Sequence, residues 1–456
     1  MEFDLVVIGG GAAGLAAART ARRRKASVAL VSSSPLGGDC TFYGCVPSKT
    51  LIESARQGLG FTAAMGRVRS TVERVAATED AEVLRREGVE VFLAPALVTG
   101  RGELSIAGRK LGYRRLVLAT GSAPVVPPVE GLETVGVLTN ESVFALSDQP
   151  ATLLIVGGGP IGVELGQAFS AFGTAVTIVE AADRVLPREE PEASHVVARA
   201  LQAAGVDVRP GCRLRSASGR AGAISARLDD GSELRTEQVL VAVGRQPRTA
   251  DLGLERAGAR LDDRGFVRTD RYLRTGARGV YAAGDVTGRS MFTHAADEMG
   301  RIAAHNALSP VPWRRFDQDA VPTVTYTTPE VARVGMTEQQ AAGVRGARVA
   351  EIRLDELDRA ITAGRTDGYI KLVTAPRAGT GNIAGGRLIG ATIVADRAGE
   401  MIALVALAMS VGMLPARLAL TVQAYPTWAL GVRQAAAQLF VEVGGRRARP
   451  ARAVAA

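Results

Sequence analysis

A strand–glycine–helix unit that occurs twice narrows the fold of this chain more than any other feature. The first copy reads Phe3-Asp-Leu-Val-Val-Ile-Gly9-Gly-Gly11-Ala-Ala-Gly14, then an Ala/Arg-rich helix and a strand over Ser27–Val31. The second reads Leu153-Leu-Ile-Val-Gly157-Gly-Gly159-Pro-Ile-Gly162, then a helix to about Phe172 and a strand over Ala175–Glu180. In each, a GxGxxG run separates a buried apolar strand from a helix. The glycines permit the tight turn and let backbone approach a pyrophosphate, and the helix N-terminus supplies a favourable field for it. One such run alone is weak evidence. Two in full βαβ context imply two bound dinucleotides and a parallel-sheet α/β architecture.

Between the two units lies Gly37-Gly38-Asp-Cys40-Thr-Phe-Tyr-Gly-Cys45-Val-Pro-Ser-Lys49. Cysteines five apart, a turn and a half along a helix, can close a small ring, because a disulfide needs Cα atoms within about 7 Å. A redox-active disulfide beside a bound flavin is the direct reading; two buried structural cysteines are the alternative. The chain has only three cysteines, which argues against an extracellular disulfide scaffold. The third, Cys212, stands alone in Arg-Pro-Gly-Cys-Arg and reads as structural.

Length and charge bound the rest. At 456 residues there is room for two or three domains. The net charge of +9 comes mostly from scattered arginines, with lysine only at positions 25, 49, 110 and 371. Without a nucleic-acid motif or interleaved aromatics, this reads as a solvated surface, not a nucleic-acid site. The first strand begins too early to leave room for a signal peptide. The apolar run Met401–Leu414 is too short to span a bilayer and reads as a buried helix at a subunit interface. A cytoplasmic protein with no membrane partner is expected. The tail Gly444–Ala456, with Arg446, Arg447, Arg449 and Arg452, reads as flexible.

The segment Gly37–Lys49 resembles the redox motif of the flavoprotein disulfide reductases, which include dihydrolipoamide dehydrogenase, glutathione reductase and mercuric reductase. The resemblance runs over nearly the whole chain. It implies two Rossmann-like dinucleotide-binding domains of glutathione-reductase type and an α+β C-terminal dimerisation domain. The expected boundaries are a flavin domain at 1–148, a nicotinamide domain at 149–270, the rest of the flavin domain at 271–318 and the interface domain at 319–456. By resemblance Cys40 is the outer thiol that meets the substrate, and Cys45 the inner one that exchanges electrons with the flavin. A helix N-terminus favours the reactive thiolate.

The same resemblance assigns FAD to the first glycine loop. Thr120 and Gly121 in Ala-Thr-Gly-Ser, and Gly284 and Asp285 in Val-Tyr-Ala-Ala-Gly-Asp, match further flavin motifs, the aspartate facing the ribityl chain. His294 falls just downstream. Ser32 stands where such folds usually place an acid that grips the ribose. In the second unit Glu180 holds that place, which favours NADH and leaves NADPH as the alternative, with Arg184 close by. Gly244, in Val-Gly-Arg-Gln-Pro, resembles a turn on the nicotinamide side. Glu164 and Lys49 match a glutamate–lysine pair near the nicotinamide and flavin N5, where positive charge stabilises a reduced flavin.

The substrate end departs from the dithiol-handling relatives. Their interface domain carries a histidine, Pro-Thr, and a glutamate five residues after the histidine, a dyad that moves the thiol proton. Here Tyr425 replaces the histidine and Leu430 the glutamate. A tyrosine with a pKa near 10 is a poor base at neutral pH. Tyr425 resembles mercuric reductases, yet their C-terminal vicinal cysteine pair is absent from this chain. The expectation is a homodimeric, FAD-dependent NAD(P)H oxidoreductase acting through Cys40 and Cys45 on a small-molecule, disulfide or metal acceptor, with no resident metal. Rivals are a mercuric or soft-metal reductase, a dihydrolipoamide dehydrogenase, a quinone reductase that uses the flavin alone, and a non-enzymatic redox-sensing flavoprotein.

Overall fold

The computed structural model describes residues 2–453. The chain forms two compact units, one from residues 1–128, 136–150 and 240–318, the other from 129–135, 151–239 and 319–456.

The first unit is built on a parallel sheet. Its strand order is Val280–Ala282, Leu116–Leu118, Leu5–Ile8, Val28–Ser32 and Glu90–Leu93. Leu5, Val6, Val7, Leu116, Val117, Leu118, Ala29 and Leu30 are fully buried, as strands covered on both faces require. The helix Ala12–Arg23 packs against Thr293–Ala307. Gly300 allows this close crossing, since a Cβ there would lie 2.1 Å from the Ala13 carbonyl oxygen. That crossing brings a segment nearly 300 residues along the chain to the first glycine loop.

The second unit contains the parallel strands Thr152–Val156, Ala175–Glu180 and Asp207–Pro210. It also contains an antiparallel sheet ordered Thr323–Thr325, Glu330–Gly335, Arg387–Ala395, Tyr369–Ala375, Arg348–Arg353 and Arg449–Pro450. The helices Ala398–Ser410 and Leu430–Ala437 join these strands in one apolar core. The run Met401–Leu414, expected as a buried helix at a subunit interface, forms the helix Ala398–Ser410, one face of which is covered by its own chain. Met401, Ile402, Val405 and Ala408 point into the core, whereas Leu407 and Val411 are exposed.

The expectation of a flexible tail is overturned for the described residues. Arg449–Pro450 pairs with Arg348–Val349 as an added edge strand. Arg446 bonds Glu356 at 2.6 Å, and Arg449 pairs with Glu338. Of the four tail arginines, Arg446 and Arg449 are held by carboxylates distant in sequence, whereas Arg447 and Arg452 are exposed. The last residues, 454–456, lie outside the described chain.

Candidate functional site

The glycine loops show which of their glycines serve the fold and which leave room for a ligand. Gly9 has φ +112°, and a Cβ there would sit 2.1 Å from the Ala119 oxygen. At Gly14 a Cβ would lie 1.8 Å from the Gly9 oxygen. Both positions are closed by backbone. Gly11 is open, its nearest neighbour being Gly38 Cα at 3.9 Å. The helix behind it starts at Ala12 with no side-chain cap and no acid in its first turn. The second loop repeats the design. At Gly162 a Cβ would lie 2.0 Å from the Gly157 oxygen, whereas Gly159 has nothing within 4 Å and precedes the uncapped helix Pro160–Ala171. Helix-end N–H groups beside an open cradle fit the diphosphate of a dinucleotide.

The two ribose positions differ. Ser32 is buried and its hydroxyl donates to the Ser34 carbonyl at 2.7 Å. Glu180 accepts the Gly158 and Ala182 N–H groups at 2.6 and 2.7 Å, which holds its carboxylate at the loop. Arg184 is drawn to Asp183 at 3.1 Å and to the Pro187 carbonyl.

A polar wall lines the first unit. Thr120 donates to the Arg248 carbonyl at 2.6 Å, and Gly121 follows with φ +73°. Ser122 donates to Asp285 at 2.7 Å. Burial pushes the Asp285 carboxyl up, against the pull of Ser122 and Arg245. Gly284, at φ +80°, turns the chain just before it. Sequence reasoning missed the residue that organises this wall. Arg245, next to Gly244, bonds Asp39 at 2.6 Å and the Ser122 hydroxyl at 2.7 Å, with Asp285 3.7 Å away. One guanidinium thus joins the residue before Cys40 to the aspartate of the flavin motif. The Val-Gly-Arg-Gln-Pro turn was the available signal, but nothing in its spacing names Asp39 as a partner.

Cys40 lies in the short helix Gly38–Phe42, and Cys45 opens the helix Cys45–Arg56. Gly44 makes the sharp link between them, since a Cβ there would meet the Asp39 oxygen at 2.9 Å. The two sulfurs are not joined in a disulfide here, and Cys40 is half-buried and Cys45 exposed. They lie within hydrogen-bond reach of each other. The Cys45 sulfur and then burial push the Cys40 thiol up, and Thr293 offsets part of this. Thr293 Oγ1 is 3.3 Å from Cys45 Sγ and begins its own helix, so two helix N-termini meet at that sulfur. Such a field favours negative charge there. Lys49 sits one turn beyond Cys45 on the same helix. His294 stacks on Phe292 at 5.6 Å. In the second unit Glu164 is buried and accepts the Tyr326 N–H at 2.7 Å.

Comparison with known proteins decides the family. Residues 3–300 match the pyridine nucleotide-disulphide oxidoreductase model, and 321–436 match the dimerisation domain of the same proteins. The chain belongs to the pyridine nucleotide-disulphide oxidoreductase family.

Within this family it is 34% identical to a dihydrolipoyl dehydrogenase of Thermus scotoductus over 96% of this chain and 97% of that one. It is 33% identical to a mercuric reductase of Staphylococcus aureus over 95% of this chain and 82% of that one. The solved HOCl-induced flavoprotein disulfide reductase RclA of Escherichia coli, described as a Cu(II) complex, superposes with a TM-score of 0.87 at 30% identity, covering 96% and 99% of the two chains. The family consists of FAD- and NAD(P)H-dependent enzymes with a glutathione-reductase-type fold, and this chain carries its dimerisation domain.

At the substrate end the positions of the expected dyad are held by Tyr425 and Leu430. Tyr425 is 69% exposed and its hydroxyl donates to Asp358 at 2.9 Å. Asp358 pushes the phenol above its usual range, which makes it a weaker acid and keeps it protonated. Leu430 opens the helix Leu430–Ala437 and is packed in the apolar core. Among the described residues no cluster of three or more His, Cys, Asp or Glu is arranged to hold a metal ion, and no helix is long and apolar enough to cross a membrane.

Proposed function

We propose that this chain takes two electrons from NADH, carries them through FAD to a Cys40–Cys45 disulfide, and passes them to a thiophilic acceptor without a histidine–glutamate proton shuttle. The observation that carries this reading is the facing pair of thiols at two helix N-termini. In this reading residues 1–148 with 271–318 hold FAD, 149–270 hold the nicotinamide dinucleotide, and 319–456 form the dimer interface.

Gly9, Gly11 and Gly14 with the uncapped helix would hold the FAD diphosphate, and Ser32 the adenosine end. Thr120, Gly121, Gly284 and Asp285 would line the flavin's polyol. Gly157, Gly159 and Gly162 would hold the nicotinamide dinucleotide, and Gly244 would flank it. Glu180, with Arg184 turned to Asp183, would favour a free 2′-hydroxyl over a 2′-phosphate. FAD, when bound, supplies a two-electron carrier between the nicotinamide and the cysteine pair. Lys49 would hold positive charge near the reacting ring, with Glu164 as its partner.

Reduction of the Cys40–Cys45 bond takes two electrons and two protons and gives the dithiol. Cys40 then gives up its thiol proton to solvent as it attacks a sulfur of an acceptor disulfide, and the expelled sulfur takes up a proton to leave as a thiol. Cys45 attacks Cys40, restores the bond and releases the second acceptor thiol. Exchange of this kind proceeds at a rate set by thiolate content and the leaving group's pKa.

A second acceptor class is favoured by the substrate end. A one-electron metal acceptor needs no base to manage an acceptor proton, and Tyr425 is committed as a donor to Asp358. Two Cu(II) ions reduced to Cu(I) would oxidise the dithiol to the disulfide with release of two protons. Thiolates suit the softer product ion.

An anaerobic NADH titration followed by absorbance tests the common core of both readings. Uptake of about four electrons per chain, with a long-wavelength band midway, puts the cysteines in circuit. Uptake of about two, with no such band, removes them and leaves chemistry at the flavin alone. C40S should abolish acceptor reduction and spare reduction of the flavin by NADH. If acceptor turnover survives that substitution, the thiol route is wrong.

A further inference from the structure

The first unit carries a cleft of about 590 Å³ that the redox chemistry does not use. Arg115 immediately precedes the strand Leu116–Leu118, and Gly279 precedes Val280–Ala282. These strands are parallel, so both contribute their N-terminal ends to the cleft. The flavin motifs Thr120–Gly121 and Gly284–Asp285 follow the same two strands at their C-terminal ends. The cleft therefore opens on the sheet edge opposite the cofactor loops, roughly 10 Å of strand away.

Four guanidinium groups line it, from Arg115, Arg268, Arg274 and Arg278, against one lining carboxylate, Asp270. That carboxylate is already spent. Its Oδ2 takes two bonds from Arg274, at 2.7 and 2.6 Å, and its Oδ1 takes the Tyr272 and Arg274 N–H groups. Arg115 is fixed in place by donating to the Ala307 and Arg114 carbonyls at 3.0 and 2.9 Å. Arg268 reaches only a fully exposed Asp263, at 3.8 Å. Among the described residues Arg278 has no ion-pair partner. Gly276, at φ +86° with nothing within 4 Å of a Cβ, leaves the mouth clear.

We infer that this cleft is a second anion site, built for a small molecule with linked phosphate groups. The volume suits a nucleotide-sized ligand. Arg268 and Arg278, neither with a close carboxylate, match two adjacent phosphates, since each planar fork can take a phosphate bidentately, and the unpaired charge of Arg115 adds to the field. A nucleoside di- or triphosphate and a short inorganic polyphosphate share this chemistry.

The test is calorimetric titration of tripolyphosphate into the FAD-loaded protein held saturated with NAD⁺ at 0.15 M salt. One saturable site per chain is expected. R268E/R278E should weaken it at least tenfold. R220E/R227E, which removes the same charge from a hairpin of the other unit, should change it less than twofold. No saturable binding, equal loss in both pairs, or binding seen only without NAD⁺ would each overturn the proposal. A parallel titration with ADP separates the sources. Affinity at least tenfold above that of tripolyphosphate identifies a nucleotide, and equal or lower affinity identifies the inorganic chain; either outcome requires the R268E/R278E loss.

Discussion

Arg245 shows how one side chain can hold together residues that reaction chemistry needs at fixed distances. Its guanidinium faces Asp39 and Asp285, and most of it is out of water. Removing one partner of a buried ion pair leaves charge without compensation, at about 3–5 kcal/mol. The partial exposure of Asp39 lowers this, so R245Q should cost about 2–3 kcal/mol at pH 7. The pH dependence follows from Asp285. Burial has raised its folded pKa above the unfolded 3.8, so the folded state binds the proton more tightly. Its ionised form therefore costs stability above the folded pKa, and that cost fades as pH falls through it. Arg245 reduces the cost, so its loss should be felt more at pH 7 than at pH 4. Urea unfolding of both proteins at the two pH values checks this, and an equal loss at both would remove Asp285 from the account. That the cysteines and Lys49 cluster about one helix start, and that Asp285 follows a strand, was legible in the sequence because those motifs are local. The Asp39–Arg245 contact was not, because it joins residues 206 apart through the fold.

The glycine loops are the elements the sequence described best, down to the strand Ala175–Glu180. Their periodicity and turn chemistry are local, so no distant contact was needed to read them. What the sequence did not separate is the work of individual glycines within a loop. In the second loop, G162A would drive a methyl into the Gly157 carbonyl, so the helix must shift off its strand. It should destabilise the protein by about 3 kcal/mol, the upper end of the range for overpacked cores. G159A meets open space, so it should leave the urea midpoint and FAD content unchanged while raising KM for NADH at least tenfold. Equal effects of the two substitutions on stability would mean the loop is not divided in this way. Wild-type kcat/KM for NADH should exceed that for NADPH by at least tenfold, since Glu180 is fixed at the loop and Arg184 is held by Asp183. A reversed preference would remove Glu180 from the ribose site. At the C-terminus the sequence misled, because arginines among glycines look solvated until the acids they meet are known.

For the molecule as a whole, the clearest feature outside the redox site is Lys371. It is fully buried, with Glu338, Glu192, Glu351 and Glu190 at 3.0, 3.5, 3.8 and 3.9 Å. Burial pulls its pKa down, but Glu190, Glu192 and Glu338 together raise it above the usual lysine value. A raised lysine pKa contributes stability in full below the unfolded value, so the cluster holds across neutral pH. K371M leaves the buried acids facing one another and should cost about 3–5 kcal/mol in urea unfolding, with little change between pH 6 and pH 8. A loss under about 1 kcal/mol would mean that water already serves those carboxylates. The βαβ units, and the interface region after them, could be read from the sequence. The interleaving of segments in the two compact units could not, because composition does not reveal which separate stretches share a core. That interleaving has a consequence for the chain as it leaves the ribosome. Thr293 meets Cys45 only after 248 more residues have been made, and the sheet around the flavin motifs lacks its Val280–Ala282 strand until then. At about 5–20 residues per second, the two thiols wait roughly 12–50 s in an unfinished domain. During that interval the nascent chain offers a cysteine pair to any oxidant or chaperone before the enzyme that would use it exists.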